Sequence, residues 1–377
     1  MGKEKIAVIA SKASSLINFR GELIKRWSDM GYKVYALAPD FTEDIKRGVE
    51  DHGAVPMDYK LNRTGLNPAA DLLSIYSLYR IMKRIKPDIT YTYTIKPVIY
   101  GSYAGKLAGL EHMNSLITGL GYTFVGEGVS RKIINKTAQL MYKIALNFNE
   151  LVFFQNNDDR DLFIDKGLVK EKKTVVVNGS GVNTDHFYYD ELSNNISKEN
   201  ISFLIMARLL VAKGVKEFIE AAKRIREKYP KVNFDVLGPF NPENPDSIKK
   251  NLLQEAQEKD IINYHGEVDD VRSHIKDCTV YVLPSYREGT PRSVLEAMSM
   301  GRPIITTDVP GCRETVQDGQ NGFLVSVKDA ETLADKMEYF IENPDQAVVM
   351  GKNSRKMAEE KYDVHKVNET ITEAMGL

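Results

Sequence analysis

The amino-acid sequence predicts an α/β protein built from two doubly wound parallel-sheet domains. Short apolar, β-branched runs alternate with longer amphipathic stretches, which is the pattern of strands joined by crossover helices. The alternation stops at a polar segment, 189–200, and then restarts. The 377 residues also exceed the roughly 250–300 at which one hydrophobic core stops growing. We therefore predict a first domain over 1–188, a linker over 189–200 and a second domain over 201–360.

The predicted strands follow one another along both halves of the chain. In the first half they are KIAVIA, KVYALA, ITYTYT, LVFF and TVVV, with helices such as DLLSIYSLYRIMKRIK between or beside them. In the second half they are SFLIMAR, NFDVLG, INYHGE, YVLPS, PIITT and GFLV. From about Asp329 the sequence is helical throughout, so these helices either pack outside the second sheet or return to the first domain. We predict that 361–377 forms the last helix, with such a return as one alternative.

Composition and cysteine content exclude several classes of protein. With 42% hydrophobic and 27% charged residues, the chain is neither disordered nor of low complexity. Two cysteines, Cys278 and Cys312, exclude a disulfide scaffold and fit a reducing compartment. The first apolar run is shorter than a signal-peptide core, and nowhere do about 20 apolar residues run unbroken. We therefore expect a cytoplasmic protein.

Charge is unevenly distributed between the two halves. The net charge of −1 argues against a dedicated nucleic-acid binder. Residues 1–188 nevertheless carry a net charge of +6 and residues 189–377 one of −7. Two basic segments that also hold apolar residues, 80–86 and 130–150, would suit contact with an anionic membrane leaflet. Helices with a buried apolar side and a solvated basic side are the alternative explanation.

The segment 284–308 offers the most specific chemical pattern. A strand leads into the loop REGTP, a helix follows, and a second strand begins after Gly-Arg-Pro. Glu288 lies in the loop, and Glu296 lies about two turns later in the helix. Pro291 suits the first helical turn, and the unpaired amides around it would bind a phosphate. The two carboxylates would then accept hydrogen bonds from sugar hydroxyls. A capped helix with two solvated glutamates is the alternative.

Cations follow strands in both halves. Arg208 comes directly after a predicted strand and Lys213 lies five residues later, before Gly214, so the two would flank a diphosphate. Pairing with surface carboxylates is the alternative. In the first half, the loop after the first strand leads into candidate residues for an acceptor diphosphate, although helix capping by Ser and Asn explains some of them equally well. These candidates are Ser15, Asn18 and Arg20, together with Lys96 after a later strand.

Taken together, these segments resemble glycosyltransferase family four, whose members are retaining, nucleotide-sugar-dependent enzymes of the GT-B architecture. The resemblance rests on AR-x-x-x-x-KG, GEVDD, PSYREGTPRSVLEAMSMGRP and GCRETVQDGQNGFLV in the second half. In the first half, NRTGLNP, TIKPVIYGSYAGKLAGL, ITGLGYTF, FQNNDDRDLF and NGSGVNTDHF are similar to a bacterial branch. That branch extends polyprenyl-diphosphate-linked sugars and includes N-acetylgalactosaminyltransferases. GT-B implies two Rossmann-like domains that face a central cleft.

The resemblance implies roles for residues at matching positions. Arg208 and Lys213 would hold the donor diphosphate, Glu288 would face the donor sugar, and Glu296 would bind the ribose hydroxyls. The amides of a donor-binding loop would contact the phosphate and the sugar; this loop comprises Gly289, Thr290, Pro291, Arg292 and Ser293. The acceptor loop of the first half would comprise Gly119, Gly121 and Tyr122. Many members carry a histidine in that loop, but here it has none, and the nearest, His112, lies upstream.

The expected activity is therefore transfer of a sugar from a UDP-sugar to a polyprenyl-diphosphate-linked saccharide. The branch implies an N-acetylhexosamine, and specifically N-acetylgalactosamine. We expect no metal or other cofactor, because the histidines are scattered and the Asp159-x-Asp161 pattern falls at a helix start, where acids complement the helix dipole. We also expect peripheral contact with the cytoplasmic face of the inner membrane. Alternatives are a glycosyltransferase with a soluble acceptor, a sugar-nucleotide epimerase and an inactive nucleotide-sugar-binding module.

Overall fold

The computed structural model describes residues 4–62, 67–120, 129–192 and 196–377, with side chains for all of these except 129–134. The chain folds into two compact units. The first unit consists of residues 1–180 together with 365–377, and the second consists of residues 181–364.

A parallel sheet of seven strands forms the centre of the first unit. The strands lie in the order β3-β2-β1-β4-β5-β6-β7, so the order reverses between β1 and β4. Val8 of β1 is aligned with Ala36 of β2 on one side and with Tyr91 of β4 on the other. The strands are β1 Lys5–Ile9, β2 Lys33–Ala38, β3 Ala54–Asp58, β4 Ile89–Tyr93, β5 His112–Ile117, β6 Leu151–Phe154 and β7 Thr174–Val176.

Helices cover both faces of this sheet. They are α1 Ser14–Asp29, α2 Glu43–Asp51, α3 Pro68–Ile85, α4 Ile95–Ala108, α5 Val129–Asn147, α6 Asn157–Asp165 and the C-terminal α13 Val364–Ala374. Alternate β1 residues separate the two layers, as expected for a strand. Ile6 and Val8 pack with α1, α2 and α13, whereas Ala7 and Ile9 pack with α3 to α6. A hydrogen bond from Trp27 Nε1 to Thr372 Oγ1, 3.2 Å long, joins α13 to α1.

The second unit contains a six-stranded parallel sheet in the order β10-β9-β8-β11-β12-β13, which reverses between β8 and β11. Its strands are β8 Ser202–Met206, β9 Asn233–Leu237, β10 Asn263–Tyr264, β11 Val280–Leu283, β12 Ile304–Thr307 and β13 Gly322–Val325. Its helices are α7 Val215–Lys228, α8 Lys250–Glu258, α9 Arg272–Asp277, α10 Arg292–Ser299, α11 Ala330–Glu342 and α12 Pro344–Met357. Thus α11 and α12 stay with the second unit, whereas α13 joins the first.

The division between the units falls between residues 180 and 181, eight residues before the boundary expected from the sequence after residue 188. The segment after residue 181 belongs to the second unit because it packs there: Phe187 and Leu192 lie in that unit's core. The fully buried Arg302 donates a hydrogen bond to the Asp190 carbonyl oxygen at 2.7 Å and pairs with the Asp190 carboxylate at 2.9 Å. Much of the polar segment expected to be a linker is therefore held against the second unit.

Candidate active site

The reversal in strand order identifies one candidate site in each unit. Where neighbouring strands send their connections to opposite faces of a parallel sheet, a crevice opens beyond their carboxyl ends, and ligands of doubly wound folds bind there. In the second unit this point lies between β8 and β11, and in the first unit it lies between β1 and β4.

Two cations follow β8. The Arg208 side chain is exposed and has no ion-pair or hydrogen-bond partner within the described ranges. Lys213 ends a short 3-10 turn, Val211–Lys213, directly before α7. Gly214 joins this turn to the helix with a φ of +73°, and a Cβ there would come within 2.1 Å of the Pro284 carbonyl oxygen. Glycine therefore allows the Lys213 turn to lie against the end of β11.

Lys213 and Glu288 form an ion pair that brings the loops after β8 and β11 together. Their side chains are only 21% and 13% exposed. The Ser285 hydroxyl, 2.8 Å from Glu288 Oε1, supplies a second contact to the same carboxylate. Glu288 is therefore shielded from solvent, whereas the alternative explanation of the sequence pattern, a capped helix, expects a solvated glutamate here. The positive charge of Lys213 is compensated within the unit, whereas that of Arg208 is not.

Backbone contacts hold the Glu288 loop in place. The Glu288 amide donates to the Pro310 carbonyl oxygen at 3.1 Å, which joins the loop after β11 to the loop after β12. At Gly311 a Cβ would come within 2.3 Å of the Glu288 carbonyl oxygen, so this approach also requires glycine. On the other side, the Tyr286 hydroxyl donates to the buried carboxylate of Glu217 in α7 at 2.7 Å. The sequence analysis did not identify Ser285, Tyr286 or Glu217, because a Ser-Tyr pair and a glutamate in a first helical turn carry no distinctive signal.

The loop 289–293, which is expected from the sequence to bind the donor, leads directly into α10. Pro291 is the residue before the first helical residue, Arg292, and its carbonyl oxygen accepts a hydrogen bond from Val294 at 3.1 Å. Gly289 is buried, and the Thr290 hydroxyl donates to its carbonyl oxygen at 3.0 Å. The first amides of a helix have no partner within the helix, so the start of α10 supplies donors of the kind that bind phosphate.

Glu296 lies in the second turn of α10 and is also shielded from solvent. Its carboxylate is 13% exposed and lies 2.9 Å from Arg292 Nε, four residues earlier. Burial raises the pKa of Glu296 above its ordinary value, and the neighbouring Arg292 offsets part of this shift. Both glutamates expected from the sequence are therefore held in place by a neighbouring cation.

In the first unit, a cluster of hydroxyl groups lies where β1 and β4 end. The Ser15 hydroxyl is 2.8 Å from the Tyr93 hydroxyl, and Thr94 Oγ1 donates to Ser11 Oγ at 2.9 Å. Thr94 has a φ of +70°, which is rare for a β-branched residue and costs energy. Such strain is found preferentially at functional positions. Tyr93 and Thr94 were not identified from the sequence.

The remaining acceptor candidates lie in different environments. Arg20 is 1% exposed, with its guanidinium carbon 5.3 Å from the centre of the Tyr93 ring, so it lies beneath the hydroxyl cluster rather than on a surface. Lys96 is paired with Asp71 at 3.1 Å and donates to the Asn62 carbonyl oxygen at 2.7 Å; it is thus neither a free cation nor a solvated surface lysine. Asn18 is exposed on α1.

Other residues raised by the sequence are placed as follows. Gly119 follows β5 with a φ of +127°, whereas Gly121 and Tyr122 lie outside the described residues. His112 is the first residue of β5, at the amino edge of the sheet, and pairs with Glu150. Asp159 is buried at the start of α6, where its amide donates to the capping Asn156 side chain at 2.8 Å.

The described residues contain neither a cluster of metal ligands nor a membrane-spanning helix. No group of three or more His, Cys, Asp or Glu side chains among them is arranged to hold a metal ion. Nor does any helix in the described ranges have the length and apolar character needed to cross a membrane.

Comparison with known families accounts for both halves of the chain. Residues 5–156 match the family described as Glycosyl transferase 4-like. Residues 190–357 match the family described as Glycosyl transferases group 1. The second match contains every residue described above at the reversal between β8 and β11, and the first contains the hydroxyl cluster between β1 and β4.

Several individual proteins are similar over most of their length. An N,N'-diacetylbacillosaminyl-diphospho-undecaprenol alpha-1,3-N-acetylgalactosaminyltransferase from Campylobacter jejuni is 28% identical over 93% of both chains. A UDP-Gal:alpha-D-GlcNAc-diphosphoundecaprenol alpha-1,3-galactosyltransferase from Escherichia coli is 28% identical over 70% of this chain and 68% of its own. Among solved structures, HepE of Anabaena in complex with UDP has a TM-score of 0.78 at 19% identity, with complete coverage of both chains.

Proposed function

The chain belongs to the group 1 glycosyl transferases, with a 4-like first half and the GT-B fold, and from this premise we propose that it extends a polyprenyl-diphosphate-linked saccharide. It is a glycosyltransferase, and its relatives include enzymes that act on undecaprenyl-diphosphate-linked sugars. We propose that the donor is a UDP-sugar, that the transferred sugar is N-acetylgalactosamine, and that the anomeric configuration is retained. The product would contribute to the assembly of a bacterial surface or protein-linked glycan.

The arrangement between β8 and β11 is the observation that carries this proposal. The loops beyond the carboxyl ends of these strands bring together Arg208, which has no side-chain partner in the described part of the chain, the Lys213–Glu288 pair and the first turn of α10. A nucleoside diphosphate needs cations and backbone donors, and its sugar needs carboxylates that accept hydrogen bonds from hydroxyls. One set of loops supplies both kinds of group.

The proposed chemistry exchanges one carbon–oxygen bond for another. The bond between the anomeric carbon and the diphosphate oxygen breaks, and a bond forms from the acceptor hydroxyl oxygen to the same face of that carbon. The departing diphosphate takes the hydroxyl proton, so no separate base is assigned. Negative charge grows on the diphosphate during this step, and Arg208, Lys213 and the α10 amides would stabilise it. Glu288 would stabilise the positive charge that develops on the anomeric carbon.

We assign the acceptor to the first unit. Ser11, Ser15, Tyr93 and Thr94 form a polar cluster at the strand-order reversal there, and hydroxyl donors of this kind suit a diphosphate or saccharide. Because a polyprenyl chain resides in a bilayer, the enzyme would work at the cytoplasmic face of the inner membrane through peripheral contact. The names of the relatives support such an acceptor.

A substrate panel tests the proposal. The protein is incubated with UDP- and GDP-linked sugars, each with and without a polyprenyl-diphosphate-linked N-acetylhexosamine, and the products are resolved by mass spectrometry and NMR. We expect product only with acceptor present, greatest yield with UDP-N-acetylgalactosamine, an α-linkage, and slow donor hydrolysis without acceptor.

Each rival function gives a different result in the same panel. Inversion at C2 of the donor sugar without acceptor would indicate an epimerase. Turnover with a free saccharide but not with the lipid-linked one would indicate a soluble acceptor. Binding of UDP-sugars without hydrolysis or transfer would indicate an inactive binding module.

A further inference from the structure

One helical layer of the first unit differs in charge from the other. The helices α3, α4 and α5 contain nine lysines and arginines and a single acid, Asp71. The helices α1, α2 and α13 on the opposite face of the same sheet contain six basic and eight acidic residues. The positive charge of the first half is thus concentrated on α3, α4 and α5, whereas α6 in the same layer is acidic. The single acid of α3, α4 and α5 is already paired with Lys96.

The same three helices expose an unusual amount of apolar surface. In the described part of the chain, thirteen large apolar side chains are exposed, and six of them lie on α3, α4 and α5. These six are Leu72, Leu73, Tyr76, Leu107, Leu140 and Ile144. Since α3 packs along α4 and α4 packs along α5, the exposed sides of the three helices form a continuous surface, which we call the α3–α5 face.

The clearest part of the α3–α5 face is the outer side of α3. Leu72, Leu73 and Tyr76 are 67%, 59% and 56% exposed, and they follow one another at helical spacing in the first half of the helix. The same side continues with Arg80, Lys83 and Arg84, all exposed and without an ion-pair partner among the described residues. Exposed apolar side chains next to a cluster of lysines and arginines form a surface that can bury apolar area in a membrane and attract its anionic headgroups.

The position of α3 relates this stripe to the proposed acceptor site. In a parallel sheet with crossover helices, each helix begins near the carboxyl edge, so the apolar half of α3 lies at the same edge as the hydroxyl cluster. Lys96 fixes this arrangement, because it is the second residue of α4, two positions after Thr94, and pairs with Asp71 in the first turn of α3.

We propose that the α3–α5 face is the surface through which the protein docks on a bilayer containing anionic lipids, with Leu72, Leu73 and Tyr76 inserted among the acyl chains. The basic half of α3 contacts the anionic headgroups together with the exposed Lys106 of α4 and Lys136 and Lys143 of α5. A second copy of the chain or another protein is the less suitable occupant, since two such basic faces repel each other and no compensating acid is exposed on α3, α4 or the described side chains of α5. Docking in this way places the hydroxyl cluster at the membrane surface.

Vesicle binding of the full chain tests the inference. Binding is measured by co-sedimentation with vesicles of phosphatidylcholine alone and of phosphatidylcholine mixed with phosphatidylglycerol. We expect binding to the mixed vesicles that weakens with salt, because exposed charges are screened over about 10 Å at 0.1 M ionic strength. The double variant Leu72→Asn/Leu73→Asn should lower the partition coefficient by at least about tenfold, since it removes two side chains that bury apolar area. The triple variant Arg80→Gln/Lys83→Gln/Arg84→Gln should lower it by about 100-fold at low ionic strength.

Matched controls separate a specific face from bulk charge and hydrophobicity. Met30→Asn/Val349→Asn removes two comparably exposed apolar side chains elsewhere, and Lys25→Gln/Lys223→Gln/Lys250→Gln removes the same charge from other surfaces. Both controls should bind like the natural protein, and unchanged thermal midpoints should show that every variant folds. Equal loss of binding in the variants and their controls would overturn the inference. So would a dimer in light scattering that only the Leu72/Leu73 variant dissociates, because the face would then be a protein interface.

The inference deepens the membrane contact required by the proposed function, but its test uses neither donor nor acceptor. Vesicle binding with no glycosyl transfer would leave the docking surface standing and refute the proposed acceptor. Transfer to a lipid-linked acceptor, combined with vesicle binding that the α3–α5 face variants do not weaken, would support the proposed acceptor and refute the docking surface.

Discussion

Replacement of Glu288 by glutamine tests how the ion pair with Lys213 contributes to the site. The substitution preserves shape and leaves an oxygen that can accept from Ser285, but it leaves Lys213 without its anionic partner. Breaking a fully buried pair on one side costs roughly 3–5 kcal/mol, and the partial exposure of both side chains reduces this to about 1–2 kcal/mol. We therefore expect the thermal midpoint to fall by roughly 2–8 °C, at about 2–4 °C per kcal/mol for a domain of this size.

The kinetic effect of Glu288→Gln should fall on turnover. The carboxylate is assigned to the carbon where positive charge develops, so its loss should reduce kcat by about 100-fold, the usual effect of removing one electrostatic stabiliser. The donor KM should stay the same or decrease, since Lys213 is then free for the diphosphate. Glu296→Gln should give the opposite profile, with a larger rise in donor KM than fall in kcat, because ribose contacts are equal in the ground and transition states.

Steady-state kinetics with donor varied at saturating acceptor measures both effects. A double-mutant cycle of Glu288→Gln and Lys213→Gln, followed by thermal and denaturant unfolding, adds the coupling energy of the pair. We expect coupling of about 1 kcal/mol or more. Additive effects within about 0.5 kcal/mol, or matching kinetic profiles for the two glutamate variants, would refute the roles assigned here.

Three further predictions concern the donor cation, metal and the cysteines. Arg208→Ala should lower kcat/KM at least ~100-fold with the fold intact. Arg208→Lys should have a kcat/KM between those of the natural protein and the alanine variant, because lysine keeps the charge but lacks the two parallel donors of the guanidinium. Near-normal kinetics in the alanine variant would remove Arg208 from the site. Activity should persist in excess EDTA because side-chain cations and helix amides meet the diphosphate charge; loss that magnesium or manganese restores would contradict this. Burial raises the pKa of both Cys278 and Cys312 to about 12, so the thiolate fraction near pH 8 is about 1000-fold below that of an ordinary thiol. A thiolate-selective reagent should therefore label the native protein slowly, and rapid labelling would contradict the burial of the two cysteines.

The sequence predicted most of the central strands but missed the internal strand β5 and the edge strand β3. Runs such as KIAVIA and YVLPS are largely continuous and apolar, as strands buried on both faces must be, and they coincide with β1 and β11. The segment AVPMD forms β3 despite Pro56, which cannot donate a hydrogen bond to a ladder. The strand tolerates this residue because it is the outermost strand of its sheet and needs donors on one side only. From sequence alone, a proline in a short apolar run indicates a turn. Only the strand order shows that this run is an edge strand, where proline is tolerated.

The sequence indicates candidate residues for the site but not their arrangement. Glu288, Glu296, Arg208 and Lys213 could be selected because each follows a strand or begins a helix within a distinctive segment. The pairing of Lys213 with Glu288, 75 residues apart, depends on β8 and β11 being neighbours. Alternation of strands and helices predicts a parallel sheet but not the order of its strands, so this contact could not be derived. The same limit applies to Thr94 and Ser11, which meet only because β1 and β4 are adjacent.

The ion pair changes how donor binding in this enzyme should be understood. Two free cations would attract any diphosphate, but here one of them, Lys213, already has a carboxylate partner that is itself assigned to the sugar. A bound donor brings a diphosphate to Lys213 and a sugar to Glu288, so each member of the pair can exchange its partner for a part of the same molecule. A diphosphate without a sugar would satisfy Lys213 and leave the shielded Glu288 carboxylate with only Ser285. The pair should therefore make the affinity for the intact nucleotide sugar higher than the affinity for the free nucleoside diphosphate. Replacing Glu288 with glutamine should reduce the difference between these two affinities, because it strengthens binding of the nucleoside diphosphate alone. Titration of UDP and of an unreacted UDP-sugar into both proteins measures this ratio, and an equal change in the two affinities would contradict the exchange.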